Sequence, residues 1–146
     1  MWILKKKPIN VFAIGNKIIT RNSVYKKNSM CLVVFEFPGN IIVKITANAV
    51  AVHKHFHEIK IFTDKKTINN TLHGSFIIKK NDMIKNKFLY PDKSNRKILI
   101  QNFLDHLQDN RKKLIMSKNE QFDLMSVCLA AENAINTNKK IKINYI

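Results

Sequence analysis

A chain of 146 residues is the size of one domain, and with 45% apolar residues but only three Gly and three Pro it is neither a linker nor a disordered tail. No apolar run approaches the length that spans a bilayer, and in the opening MWILKKKP the charges follow the short apolar patch, the reverse of a secretory signal, so a soluble cytoplasmic protein is expected. The formal net charge of +16 suggests a polyanion partner, but only three of the 26 basic residues are Arg, the side chain on which base-specific readers lean.

Residues 9–14 read as a strand closed by a turn at Asn16 and Lys17. Residues 30–37 (MCLVVFEF) are apolar and β-branched, the pattern of a buried strand. Pro38, Gly39 and Asn40 form a turn signal, with Gly39 free to take a positive φ, and residues 41–52 follow as the second arm of a hairpin. Residues 56–63 alternate, with Ile59 and Ile61 on one face and Phe56 and Phe62 on the other. Residues 67–78 and 84–90 look like further strands, with His73 and Gly74 in a turn.

The period then changes. Ile100, Phe103, Leu104 and Leu107 fall at i, i+3, i+4, i+7, an amphipathic helix for which Ser94 is a candidate N-cap. Ser117 and Glu120 have capping-box spacing and open a second helix, with Leu124, Val127, Cys128, Ala131 and Ile135 as its buried stripe. Residues 139–146 alternate as an edge or closing strand. Strands, then two helices, then a strand predict an α+β fold: an open, mostly antiparallel sheet with helices packed on one face, as a single domain over residues 1–146. This is not the βαβ alternation of a dinucleotide-binding fold. Cys31 and Cys128 sit in apolar runs and are expected in the core rather than in a disulfide.

The sharpest local feature is His53, His55 and His57. On a regular strand the three imidazoles share one face, about 7 Å apart. A His-x-His pair on a strand can chelate zinc, but a complete site needs supporting carboxylates, and no metal is expected here. A substrate-facing or interface role suits imidazole, a neutral donor and acceptor for hydroxyl groups, and partly exposed polar residues at a strand start are the bland alternative. With Gly15, Gly39 and Gly74 the only glycines, neither a GxGxxG turn nor a P-loop can be written, and GxSxG, HExxH and CxxC are absent. No catalytic or cofactor-binding residue is assigned.

Several stretches in order resemble the C-terminal domain of the Gfo/Idh/MocA-type oxidoreductases. WIL at 2–4 with PINVFA at 8–13 resembles the segment leading into that domain's first strand. FEFPG at 35–39 is similar to its hairpin, and KITAN at 44–48 to the strand after it. HKHFH at 53–57 with IFT at 61–63 resembles the strand that runs into a GTKG-like turn, which reads TDKKT here without glycine. IQNFLD at 100–105 with Asn110 and Arg111 resembles a family helix, and FDLMSV at 122–127 with residues 139–146 resembles the last helix and strand.

The resemblance implies a substrate-pocket and oligomerisation domain of an enzyme using NAD or NADP on a sugar, polyol or nucleotide sugar. The family's Rossmann domain, its Lys in an EKP-like motif and its acidic–His pair match no position here, so this chain alone is expected to be inactive and to bind no cofactor, as a truncated product or part of a split enzyme. It also implies self-association through the sheet, a separate Rossmann-domain chain as a possible partner, and a substrate approach at His53, His55 and His57. Two other readings stay open: a stand-alone assembly module using an open sheet face, and a basic nucleic-acid-binding domain resting on charge alone. No membrane partner is expected.

Overall fold

The computed structural model describes residues 1–52, 55–86 and 94–146. In chain order the elements are β1 (Asn10–Asn16), β2 (Met30–Phe37), β3 (Ile41–Asn48), β4 (Ile59–Phe62), β5 (Lys66–Thr71), β6 (Gly74–Lys79), β7 (Asp82–Asn86), α1 (Ser94–Gln108), α2 (Lys118–Thr137) and β8 (Ile141–Lys142). The class is α+β, and the strands form two four-stranded antiparallel sheets rather than one. They fall in two compact units, residues 1–52 with 116–146, and residues 53–115. The part of the expected 84–90 strand beyond Asn86 lies outside the described residues.

In the first unit the strand order is β3-β2-β1-β8. The β2–β3 hairpin forms because two β-branched, apolar runs flank a turn in which Gly39 takes φ +81° and Asn40 φ +57°, conformations open to Gly and tolerated by Asn. Gly15 has a different reason. A Cβ there would meet the Asn28 side chain at 3.0 Å and the Met30 carbonyl at 3.1 Å, so its bare backbone lets the 28–30 segment close onto β1. Register fixes which side chains are buried. Val11 pairs with Phe35 and Ala13 with Val33, and Phe35 pairs with Val43 across the hairpin. These point to the face covered by α2, where Val11, Ala13, Phe35, Phe37, Val127, Ala134 and Ile143 form the core. A fully buried Val or Phe side chain typically contributes about 1.5–3 kcal/mol.

The capping box that opens α2 is present as expected. Glu120 N donates to Ser117 Oγ at 3.2 Å, and Ser117 N donates to Glu120 Oε2 at 2.8 Å. The helix ends at Asn138 in the left-handed conformation. Its buried stripe differs from the expected one: Asp123, Ser126, Val127 and Ala134 are buried, Ala131 and Ile135 are half-buried, while Leu124 and Cys128 are exposed. Polar anchoring turns the helix. Lys7 Nζ lies 2.5 Å from Asp123 Oδ2, and Ser126 Oγ donates to the Phe122 carbonyl at 2.9 Å, so both side chains are buried with partners. Cys31 is half-buried and free, so the expected core placement fails for Cys128.

Only Ile141–Lys142 pair as the closing strand, beside β1. The remainder is held by Ile143 N donating to the Ile9 carbonyl at 2.9 Å and Tyr145 OH donating to the Pro8 carbonyl at 2.7 Å.

The second unit carries the meander β4-β5-β6-β7 and α1. Ile61, Ile68, Ile77 and Ile84 stand opposite one another across all four strands, a cross-strand ladder of β-branched side chains. The turn that lacks glycine is built by a hydroxyl: Lys66 N donates to Thr63 Oγ1 at 3.0 Å, and Thr63 N donates to the Lys66 carbonyl at 3.0 Å. Helix α1 begins at Ser94 itself, and the residue before it lies outside the described ones. No residue of α1 is buried, and its expected stripe of Ile100, Phe103, Leu104 and Leu107 is exposed. The expected covering of a sheet face is therefore made by α2 on the first sheet.

Candidate functional site

Of the three histidines singled out from sequence, His53 lies outside the described residues. His55 and His57 precede β4 rather than lying on it. The strand begins at Ile59, which pairs with Asn70; β5 ends at Thr71, opposite Glu58 in that register, so residues 55–57 have no β5 partner to join. The two rings meet nonetheless. His55 Nε2 and His57 Nε2 are 3.2 Å apart, and the rings stand edge to face with centroids 4.7 Å apart. One nitrogen donates and the other accepts, the roles following the tautomer, and both rings are exposed at the chain surface. Of the other histidines, His73 is exposed in the β5–β6 turn, and His106 is half-buried with Nδ1 2.6 Å from the Lys112 carbonyl.

A larger feature lies on the first sheet. Residues alternating with the core positions project from the face away from α2: Phe12 and Ile14 on β1, Met30, Leu32 and Val34 on β2, and Ile42 on β3. Phe12, Ile14, Met30 and Ile42 are 40–61% exposed. An antiparallel sheet facing water on one side normally alternates to polar residues there; β3 does so at Lys44, Thr46 and Asn48, whereas Phe12, Ile14, Leu32 and Val34 leave the β1–β2 part of the face apolar.

At one end of that face stands a polar group that sequence reading missed. Asn10 Nδ2 donates to Glu36 Oε2 at 2.9 Å, and Lys140 Nζ donates to Glu36 Oε1 at 2.7 Å. The Lys140 ammonium, with Asn10 beside it, holds the Glu36 carboxyl below its ordinary range. The signal was Glu36 itself, the one charged residue in MCLVVFEF. This arrangement orients and neutralises a carboxylate beside an apolar surface, which suits docking better than proton transfer.

Elsewhere the titratable groups serve the fold. The Ser117 backbone N–H and hydroxyl lower the Glu120 carboxyl, and Arg111 lowers that of Asp109. Burial, aided by the neighbouring Asp123 charge, pushes the Tyr145 phenol up to about 12. Among the described residues no three His, Cys, Asp or Glu side chains group as a metal site, and no helix is long and apolar enough to cross a membrane.

No protein-family model matches the sequence, and no curated protein is similar to it. Solved structures do match. Against a UDP-N-acetylglucosamine 3-dehydrogenase from Acidithiobacillus ferrooxidans the TM-score is 0.72 at 13% identity, over 90% of this chain and 41% of that one. Against a myo-inositol 2-dehydrogenase from Lactobacillus plantarum it is 0.72 at 10% identity, over 98% and 44%. Against an oxidoreductase from Agrobacterium radiobacter, solved with NAD+, L-tartaric acid and magnesium, it is 0.72 at 11% identity, over 93% and 43%. The chain thus spans less than half the length of the structures it matches, and its fold is that of the C-terminal part of Gfo/Idh/MocA-type oxidoreductases.

Proposed function

We propose that this chain is the substrate-pocket and oligomerisation part of a Gfo/Idh/MocA-type oxidoreductase acting on a sugar, polyol or nucleotide sugar with NAD or NADP. The observation that carries this reading is the coverage: 90–98% of the chain superposes on 41–44% of dehydrogenases whose substrates include a nucleotide sugar and an inositol. The cofactor and the hydride-transfer chemistry then belong to a nucleotide-binding half, a separate chain or a joined one. A Gly-rich turn at a helix N-terminus is what holds a pyrophosphate, and the three glycines of this sequence cannot supply one. The histidine segment (His53, His55, His57) is the stretch assigned to the substrate side, where neutral imidazoles would hydrogen-bond hydroxyl groups.

The test is co-expression with the products of the reading frames flanking the gene. A complex with a chain carrying a Gly-rich βαβ unit should reduce NAD+ or NADP+ on a polyol or nucleotide sugar. A complex that turns over none of a broad hydroxyl-bearing panel argues against this reading.

A second reading is favoured by the apolar outer face of the first sheet: a stand-alone assembly module. Both readings make self-association through Phe12, Ile14, Met30 and Ile42 the expected behaviour, because an exposed patch of this kind marks an interface.

A further inference from the structure

Two imidazoles bound to one ion through Nε2 bonds of about 2.05 Å lie about 3.3 Å apart at a tetrahedral angle and about 2.9 Å apart at a right angle. His55 Nε2 and His57 Nε2 are 3.2 Å apart. The ring centroids test whether the nitrogens converge on a point. For rings whose Nε2 atoms aim at a shared ion, centroids about 5 Å apart are expected, against about 5.5 Å for rings meeting head-on. The observed separation is 4.7 Å, with the rings at 76° to each other. The observed value is shorter than for a head-on pair and near that of a shared ion, so the two nitrogens stand at chelating distance with their rings inclined to each other.

We propose that His55 and His57 form a two-imidazole chelate for a borderline divalent transition metal, Zn2+ or Ni2+, at the exposed approach to β4. Nitrogen donors select such ions over Mg2+ and Ca2+, which take oxygen ligands. The chelate supplies two ligands and leaves the remaining positions to water or to an incoming donor, since no third His, Cys, Asp or Glu among the described residues completes a cage. Binding uses both Nε2 lone pairs, so each ring binds as the neutral Nδ1–H tautomer: in a neutral pair the shared Nε2 proton moves to Nδ1 of the same ring by way of water, and an imidazolium releases its extra proton to solvent. This goes beyond the oxidoreductase reading and does not depend on it, because it rests on the geometry of this chain alone.

The test uses the full chain with any affinity tag removed and with metal stripped by chelator. Calorimetric titration with Zn2+ and with Ni2+ should give one ion per chain, and Mg2+ should give no signal. His55→Ala and His57→Ala should each weaken binding about tenfold or more, since even a hydrogen-bond partner of a metal ligand is typically worth 10- to 100-fold. His73→Ala should leave it unchanged. His55→Gln, which keeps a polar side chain there, guards against a folding defect, with circular dichroism checked in every variant. Paramagnetic Ni2+ should broaden the His55 and His57 ring resonances before any other histidine signal. Binding that survives the double His55→Ala, His57→Ala variant, or Zn2+ held no more tightly by the native chain than by that variant, overturns the proposal.

Discussion

Ser117 and Glu120 show how much a single pair can carry. Their reciprocal hydrogen bonds close the first turn of α2, and the Ser117 backbone N–H holds the Glu120 carboxyl below its ordinary 4.5. Ser117→Ala should destabilise the chain by about 1 kcal/mol, the usual worth of an N-cap, read as a lowered denaturation midpoint. Because the folded state prefers the ionised Glu120, the part of the box that accepts at its carboxylate is present above 4.5 and is lost as pH falls below it, while the Ser117 hydroxyl cap on Glu120 N remains. Tyr145 runs the other way. Its phenol is raised from 10.0 to about 12 in the folded chain, so its contribution is full below pH 10 and fades between 10 and 12. In a spectrophotometric alkaline titration Tyr145→Phe should remove the late-ionising component. An unchanged titration curve would show that Tyr145 is not the protected phenol.

The helices differ in what the sequence revealed about them. Both were legible as periodic apolar stripes with a capping box before the second, yet the stripe of α2 is turned toward Asp123 and Ser126. Periodicity weighs apolar side chains; it does not see Lys7, more than a hundred residues away, satisfying a buried carboxylate. In the strands the register separates core from surface. Phe35→Ala should cost roughly 3 kcal/mol or more in unfolding free energy, whereas Ile42→Ala on the outer face should change stability by less than about 1 kcal/mol. Chemical denaturation of the two variants side by side decides it. Asn102 is one of the α1 side chains that pin the segment after the helix: its Nδ2 donates to the Lys113 carbonyl at 3.1 Å and its Oδ1 accepts from Ile115 N at 2.8 Å. Asn102→Ala should speed amide exchange at Ile115 about fivefold, the effect of one lost hydrogen bond of about 1 kcal/mol.

For the molecule as a whole, charge and apolar surface oppose each other. The net charge of +16 resists association, but its field is screened beyond about 8 Å at physiological ionic strength, while burial of the outer sheet face is not weakened by salt. Dimers or larger species should therefore grow with ionic strength in analytical ultracentrifugation, and Phe12→Lys should return them toward monomer. A chain that stays strictly monomeric at tens of micromolar in roughly 0.3 M salt rules out the sheet face as a self-association surface. The isolated chain should also take up no NAD(P) in calorimetry, and micromolar binding would overturn the assignment of the cofactor to another half.

The sequence by itself determined that strands precede two helices and a closing strand, the turn at Gly39, the capping box and the α+β class, because each of these is written in local chemistry: β-branched runs, a residue free to take positive φ, a hydroxyl three residues before a carboxylate; it read residues 67–78 as one strand where the structure has β5 and β6. Only the tertiary structure decided that the strands split into two sheets, that α2 turns its polar Asp123 and Ser126 inward, that Cys128 and the α1 stripe are exposed, and that Glu36 is clasped by Asn10 and Lys140. The meeting of His55 and His57 belongs to that second group. The i, i+2 spacing predicts rings about 7 Å apart on a strand, and they touch because the ladder stops at Ile59 and frees the backbone before it to bring them together. Partners distant in sequence, and the points where a ladder runs out of partner, are set by long-range register, which local patterns do not encode.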